Sequence, residues 1–276
     1  MPGNPLVRFD EGRVGRTRKV SPSLLLYWPM LFEGEGRLLM EWIDAHPEVA
    51  VQDAEYQRLL GYPRGHILDG RARELAGWAR QWYAEHGRPW VYAREAESVG
   101  TGGAPVTLDG ERFHSGVLRR RFEKAAAGSA ILAAVSAGPE IEQEAQRLWQ
   151  EEKPDEYYFL EVLGSAVVER LTAMAGGQLC TWAEGRQMAV LPHYSPGYPG
   201  WDIAEQPRLL EVLARAGTLP GKVEALGSGA LRPKKSLLAV FGLTRHTEGV
   251  RRLTEVLACG SCSLPACQFR RMTGEP

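Results

Sequence analysis

The stretch that most restricts the fold is HYSPGYPGWD, at residues 193–202. It cannot form a helix, because its two prolines lack a backbone N–H and its two glycines leave the backbone loose. Three aromatic residues, Tyr194, Tyr198 and Trp201, make it too aromatic for a simple solvated linker. We therefore expect a stiff, twice-kinked loop that either packs as a plain connection or holds a ligand.

The rest of the chain has the composition of a globular protein. It has 276 residues, 44% hydrophobic and 24% charged, which is enough for one large domain or two small ones. The net charge of −1 argues against nucleic-acid binding, although residues 1–20 form a basic arm that is either flexible or contacts a partner. No apolar run predicts a membrane span or a signal peptide. Four cysteines in a chain of this length indicate a reducing cytoplasm rather than a secreted disulfide framework.

Hydrophobic periodicity predicts more helices than strands. Helices are expected at 71–87, 123–138, 138–152, 155–175, 204–217 and 247–260. Strands are expected at 89–97, 105–113, 186–192 and 235–243, with a turn at Asp109-Gly110. The helix at 123–138 is apolar on nearly every side and should be buried. This order predicts the α+β class: one domain over 21–246, with an antiparallel or mixed sheet flanked by helices, and a cysteine-rich tail over 247–276.

The order of elements around the loop is that of a known family. A long helix and a strand precede the loop, and ALGSGALRPKKSLLAVFGL follows it at 225–243. Four further segments match in position, LLGYPRG, GRPWVYAR, AILAAVSAGPEIEQE and LEVLGSAVVERL (59–65, 87–94, 130–144 and 160–171). Over roughly residues 50–270 the chain resembles the reactivation domain of cobalamin-dependent methionine synthase, and more closely the stand-alone proteins of that family.

The resemblance implies a protein that binds S-adenosylmethionine and caps the corrinoid of a separate cobalamin-binding methyltransferase. In that family one electron and the sulfonium methyl convert cob(II)alamin to methylcobalamin, which implies an electron-donor protein as a further partner. Carried over to this chain, the ligand contacts are His193, Ser195, Pro196, Gly197, Tyr198, Pro199, Ser228, Gly229, Leu231 and Pro233. Tyr198 takes the catalytic role, because its ring is expected to project from the loop and stand near cobalt.

One position departs from the family. The arginine that lies five positions before the loop tyrosine is replaced by His193, which cannot grip a carboxylate bidentately. The alternative partners for the ligand carboxylate are Arg186, Arg232, Lys234 and Lys235. Glu161 and Glu169 lie near one face of the long helix, and a carboxylate there is a candidate partner for the ligand's amino group.

The C-terminal segment CGSCSLPACQFRR contains Cys259, Cys262 and Cys267 in a Cys-x2-Cys-x4-Cys pattern. A two-residue spacer brings two thiolates to one metal ion or cluster. Three thiolates fit zinc, with Cys180, His246 or a non-protein group as fourth ligand, or an iron–sulfur cluster that delivers low-potential electrons. The alternatives are a redox dithiol and a set of free thiols.

Two other functions compete with reactivation. In the first, the chain is a non-catalytic adaptor that docks a cobalamin domain and holds a structural metal in its tail. In the second, it is an enzyme that uses the same pocket for a different ligand. An iron-containing, brown protein favours electron delivery, whereas a colourless zinc protein favours the adaptor.

Overall fold

The computed structural model of the chain describes residues 39–63, 65–102, 105–248, 250 and 253. Its strands are β1 (Glu41–Asp44), β2 (Trp90–Glu95), β3 (Val99–Gly100), β4 (Val106–Leu108), β5 (Glu111–Phe113), β6 (Ser129–Ser136), β7 (Ala189–Val190), β8 (Glu224–Ala225), β9 (Leu231–Arg232) and β10 (Ser236–Thr244). Its helices are α1 (Asp53–Leu59), α2 (Gly70–His86), α3 (Gly116–Lys124), α4 (Glu140–Gln150), α5 (Pro154–Glu184) and α6 (Gln206–Ala214), with a 3-10 helix over Ile203–Glu205. The predicted α+β class is confirmed.

A five-stranded sheet forms the centre of the fold. Its order is β1-β2-β6-β10-β7, and every neighbouring pair is antiparallel. β6 lies in the middle and pairs along its length with β10 on one side and with β2 on the other. At the outer edge, β7 pairs with β10 only at Leu243 and Thr244. The loop that follows β7 therefore begins beside the middle of β10.

Successive residues of the central strands point into two different cores, as the period of two requires. On one face, Tyr92, Leu132 and Val240 pack with α3, α6, the small β3–β5 sheet and the 193–202 loop. On the other face, Val135 and its neighbours pack beneath α1, α2, α4 and α5. The sheet is thus covered on both sides, with α5 as the longest element of the second layer.

The predicted helix at 123–138 is wrong over most of its length. Residues Ser129–Ser136 form β6, and all eight are buried. A strand that is paired on both edges and covered on both faces is apolar throughout, so it lacks the alternation that identifies a half-exposed strand. The expectation that this segment is buried is confirmed.

The predicted end of the long helix at Gly176-Gly177 is also wrong. α5 begins at Pro154, with Lys153 rather than Asp155 at the N-cap, and continues to Glu184. Gly176 is buried inside it, and a Cβ there would lie 3.1 Å from Leu253 Cδ1. The glycine therefore packs within the helix and does not terminate it.

Several local predictions are confirmed. α2 ends at His86, with Gly87 as its C-cap, close to the predicted bounds. The turn between β4 and β5 has Asp109 at φ 49° and Gly110 at φ 80°, the pattern of a two-residue hairpin turn. Helices α4 and α6 and strands β2, β7 and β10 lie within the segments predicted for them or within a few residues of them.

Some predictions fall outside the described residues. These are the basic arm at 1–20, most of the helix at 247–260, and the three tail cysteines, Cys259, Cys262 and Cys267. Within the described ranges, none of the helices is long and apolar enough to cross a membrane.

Candidate functional site

The 193–202 loop begins at the edge of the central sheet and turns sharply. Tyr194 exchanges two backbone hydrogen bonds with Val240 of β10, each 2.9 Å long. Beyond it, Gly197 and Gly200 have φ angles of 91° and 81°, a conformation that favours glycine. The prediction of a kinked loop outside regular secondary structure is confirmed.

Two of the three aromatic residues anchor this loop in the core. Trp201 is buried, its indole N–H donates to Oε2 of Glu205 at 2.7 Å, and its ring meets Phe113 edge-on. Tyr194 is also buried, and its ring stacks on that of Trp201 at 6.2 Å between centroids. The loop is therefore fixed before any ligand arrives, which lowers the entropic cost of binding.

Tyr198, the third aromatic residue, is hydrogen-bonded to His193. The His193 Nε2 atom lies 3.1 Å from the Tyr198 hydroxyl. The Tyr198 ring meets Tyr194 edge-on, and the His193 ring lies 5.6 Å from that of Phe241. Tyr198 is thus half-buried and packs against the core, whereas the sequence predicted a ring that projects into a concavity rather than packing in the core.

Both members of this pair are held neutral. Burial lowers the pKa of His193 to about 4, and the positive charge of Arg121 acts in the same direction. Burial raises the pKa of Tyr198, and the negative charge of Glu169 raises it further. A neutral imidazole supplies no charge to a ligand carboxylate, so the departure from the family's arginine is a difference in electrostatics as well as in shape.

Ser195 places a buried hydroxyl beside this pair. Its residue is 0% exposed, and its Oγ makes no hydrogen bond of good geometry with the described residues, although it lies close enough to Tyr198 to lower that phenol's pKa. A buried hydroxyl without a good partner costs free energy. Because the residue is fully buried, its contact with a ligand stays a prediction.

The loop and the later glycine segment meet at one residue. A Cβ on Gly229 would lie 2.4 Å from the carbonyl oxygen of Ile203, and a Cβ on Gly197 would lie 3.6 Å from the Ile203 side chain. The two segments are therefore adjacent, as expected from the sequence. A glycine is therefore required at position 229 by packing against Ile203, and no approach of a ligand to the backbone is needed to explain it.

The remaining predicted contact residues differ in accessibility. Ser228 is exposed, and its Oγ accepts from the N–H of Ala230 at 3.4 Å. Leu231 and Pro233 are buried, Leu231 in the core on the loop side of the sheet. Pro196 is buried as well, whereas Gly197 and Pro199 are exposed. Their roles in binding stay predictions.

The four cations that were alternatives for the ligand carboxylate have protein partners. Arg186 stacks on a tryptophan ring, and Arg232 pairs across the β8–β9 hairpin at 3.6 Å. Lys234 and Lys235 reach the same carboxylate on α5, with their Nζ atoms 2.6 and 3.1 Å from the two oxygens of Glu161. The two lysines are therefore held together at the β10 end of the glycine segment.

Three further residues belong to this region although no sequence pattern places them there: Arg121, Phe241 and Arg58. Arg121 lies on α3 with its guanidinium 4.4 Å above the Tyr194 ring, and the only sequence signal is a run of three arginines at 119–121. Arg58 of α1 bonds Glu169 at 2.6 Å. Because the residues in each of these contacts lie far apart in the sequence, no local sequence pattern predicts the contacts.

The predicted metal site is not tested. Among the residues that the structure describes, no group of three or more histidine, cysteine or acidic side chains has the arrangement of a metal site. Cys180, one suggested fourth ligand, is buried on α5. Zinc or an iron–sulfur cluster at Cys259, Cys262 and Cys267 stays a prediction.

Comparison with known proteins identifies the fold. No protein-family model matches the sequence, and no curated protein matches it. A crystal structure of the MetH reactivation domain bound to AdoHcy superposes with a TM-score of 0.52 over 78% of this chain and 81% of that chain, at 11% sequence identity. The described chain therefore has the fold of the methionine synthase reactivation domain that its sequence resembles.

Proposed function

We propose that this chain binds S-adenosylmethionine between the 193–202 loop and the 226–235 segment, and that it supports reductive methylation of cob(II)alamin on a separate corrinoid protein. The observation that carries the proposal is the fold shared with a reactivation domain whose structure holds AdoHcy. AdoHcy is what remains of S-adenosylmethionine after its methyl group has left.

The residues of this region fit such a ligand. Contact of Gly197 and Gly229 with Ile203 brings both predicted segments to one place. The loop is held in advance by Tyr194 and Trp201, so little order has to be gained on binding.

The His193–Tyr198 pair has a positioning role in this proposal. The electron and the sulfonium methyl come from the reductant and the ligand, so the protein contributes geometry and electrostatics. A phenol that stays protonated and is hydrogen-bonded to a neutral imidazole keeps one orientation without placing a charge beside the corrinoid. Tyr198 is thereby available to contact the partner's corrinoid from a fixed position.

Calorimetric titration of the full chain with S-adenosylmethionine and S-adenosylhomocysteine, alone and with a cobalamin-loaded partner, tests the proposal. We expect saturable binding of both. Methylcobalamin formation from cob(II)alamin, S-adenosylmethionine and a one-electron reductant should be slower with Tyr198→Phe than with the control Tyr158→Phe, whose ring is exposed. Absence of binding under all conditions would refute the proposal.

The neutral His193 favours a second candidate function, the non-catalytic adaptor. Without the family's arginine, a chain of this fold can dock a cobalamin domain and bind no S-adenosylmethionine. Tight association with the partner, unchanged by S-adenosylmethionine and accompanied by no titration heat for that ligand, supports the adaptor. Zinc rather than iron in the purified protein supports it further.

A further inference from the structure

A mixed-charge cluster lies between the start of β10 and α5, and the fold similarity assigns it no role. Glu161 stands at its centre, with one carboxylate oxygen 2.6 Å from Lys234 Nζ and the other 3.1 Å from Lys235 Nζ. The Lys235 ammonium also donates to Ser165 Oγ at 2.9 Å, and Glu142 accepts the backbone N–H of Lys234 at 3.0 Å. Two ammonium groups and two carboxylates therefore meet here.

The two lysines differ in how tightly they are packed and how far they are exposed to solvent. Lys235 is fixed, because its aliphatic stem crosses α5 at Gly164, where a Cβ would lie 2.9 Å from it. Lys234 is more accessible to solvent, with 42% of its side chain exposed. Burial alone would lower the pKa of Lys234, but the hydrogen bond and charge of Glu161 outweigh it and raise the pKa, so the side chain stays a cation.

Glu161 is only 14% exposed, and its buried Oε1 lies 2.6 Å from Lys234 Nζ. Each oxygen of an ionised carboxylate can accept more than one hydrogen bond, so Oε1 can also accept one from the ammonium group of a ligand. If Lys234 turns toward solvent, it exposes both that oxygen and its own ammonium to the same ligand. The site then offers one anion and one cation side by side.

The cluster lies on the helix face that also leads to Tyr198. Glu161, Ser165 and Glu169 are spaced four residues apart and lie on one face of α5. The same face continues to Phe241 of β10, whose ring lies 5.6 Å from that of His193, so this end of the row approaches the loop. The two ends of the row are about 12 Å apart at 1.5 Å per residue, a separation that a nucleoside with an extended amino-acid side chain can span.

We propose that Glu161 and Lys234 anchor the zwitterionic amino-acid end of the ligand, with Glu161 accepting from its α-ammonium group and Lys234 donating to its α-carboxylate. Lys235 stays bonded to Ser165 and keeps Glu161 in place. This anchor takes the place of the arginine that His193 replaces, and it rests on the proposed binding of S-adenosylmethionine.

The test compares two ligands that share the nucleoside and the thioether but differ at the amino-acid end. S-adenosylhomocysteine carries that end, and 5′-methylthioadenosine lacks it. By calorimetry, the wild-type chain should bind S-adenosylhomocysteine at least about tenfold more tightly, since hydrogen bonds to charged groups are worth that much or more. Glu161→Gln and Lys234→Met should reduce this ratio to near one and leave 5′-methylthioadenosine affinity unchanged.

Lys222→Met removes an exposed lysine outside the cluster and should preserve the ratio. Lys234 is partly exposed, so its variant should fold even where Glu161→Gln is unstable. Binding of S-adenosylhomocysteine with an unchanged ratio in both variants would overturn the anchor and leave the proposed function standing. Equal affinity of the wild type for both ligands would also overturn the anchor, and binding of neither would overturn both proposals.

Discussion

The pKa of His193 makes a quantitative prediction about stability in acid. The native imidazole stays neutral down to about pH 4, whereas in the unfolded chain it is protonated below its ordinary value of 6.5. Between these values the unfolded state binds the additional proton, so the free energy of unfolding falls as pH falls from 6.5 to 4. The difference between the two pKa values corresponds to about 3 kcal/mol, at about 1.4 kcal/mol per pKa unit.

Urea unfolding measured at intervals from pH 7 to pH 4 gives this free energy directly. His193→Gln removes the titrating group and keeps a side-chain amide within reach of the Tyr198 hydroxyl. We expect the variant to lose about 3 kcal/mol less than the wild type between pH 6.5 and pH 4. His46→Gln, at an exposed histidine, is the matched control and should follow the wild type. Parallel curves for the wild type and His193→Gln would refute the argument that His193 is held neutral by burial.

Three further predictions concern the fold and the tail. Gly229→Ala should lower the free energy of unfolding by at least about 2 kcal/mol in urea titrations, because φ is +83° and the new Cβ would lie 2.4 Å from a carbonyl oxygen. Gly227→Ala has open space and should change it by no more than about 0.5 kcal/mol; equal losses would contradict the packing argument. Asn can adopt the same turn conformation as Asp109, but Asp109→Asn leaves buried Arg94 without its 2.6 Å ion pair. The free energy of unfolding, measured by thermal unfolding, should therefore fall by about 3 kcal/mol. Cys259→Ser should release bound metal, as measured by elemental analysis of anaerobically purified protein, and a wild type with neither iron nor zinc would contradict the tail prediction.

The sequence alone was sufficient wherever the determining forces are local. The hairpin turn at Asp109-Gly110 could be predicted, because a two-residue turn needs positive φ at both positions. Helix α2 could be predicted from its amphipathic period and the glycine that follows it. The kinked loop at 193–202 follows from prolines and glycines that exclude helix whatever surrounds them.

Tertiary structure decided the identity of β6. The segment from Ala125 to Gly138 is rich in alanine and apolar on every side, which suits a buried helix and a buried strand equally. It is a strand because β2 and β10 pair with both of its edges. Those partners lie far from it in the sequence, so no local pattern contains this information. Gly176 is similar, because it continues α5 at a point where a Cβ would lie 3.1 Å from the Leu253 side chain, a contact made only in the folded chain.

In the candidate site, too, some features could be predicted from the sequence and others are decided by tertiary contacts. The loop, the glycine segment and the two lysines could be located from the sequence and its resemblance to a family. The neutral state of His193 could not be predicted from the sequence. Its pKa depends on burial and on Arg121, which lies on a helix 72 positions earlier in the chain. That Lys234 and Lys235 share one buried carboxylate was equally inaccessible, since Glu161 reaches them only when α5 packs across the sheet. The sequence by itself determined which residue types are present and where the chain must turn, whereas burial and long-range contacts, which exist only in the folded chain, set their charge states and partners.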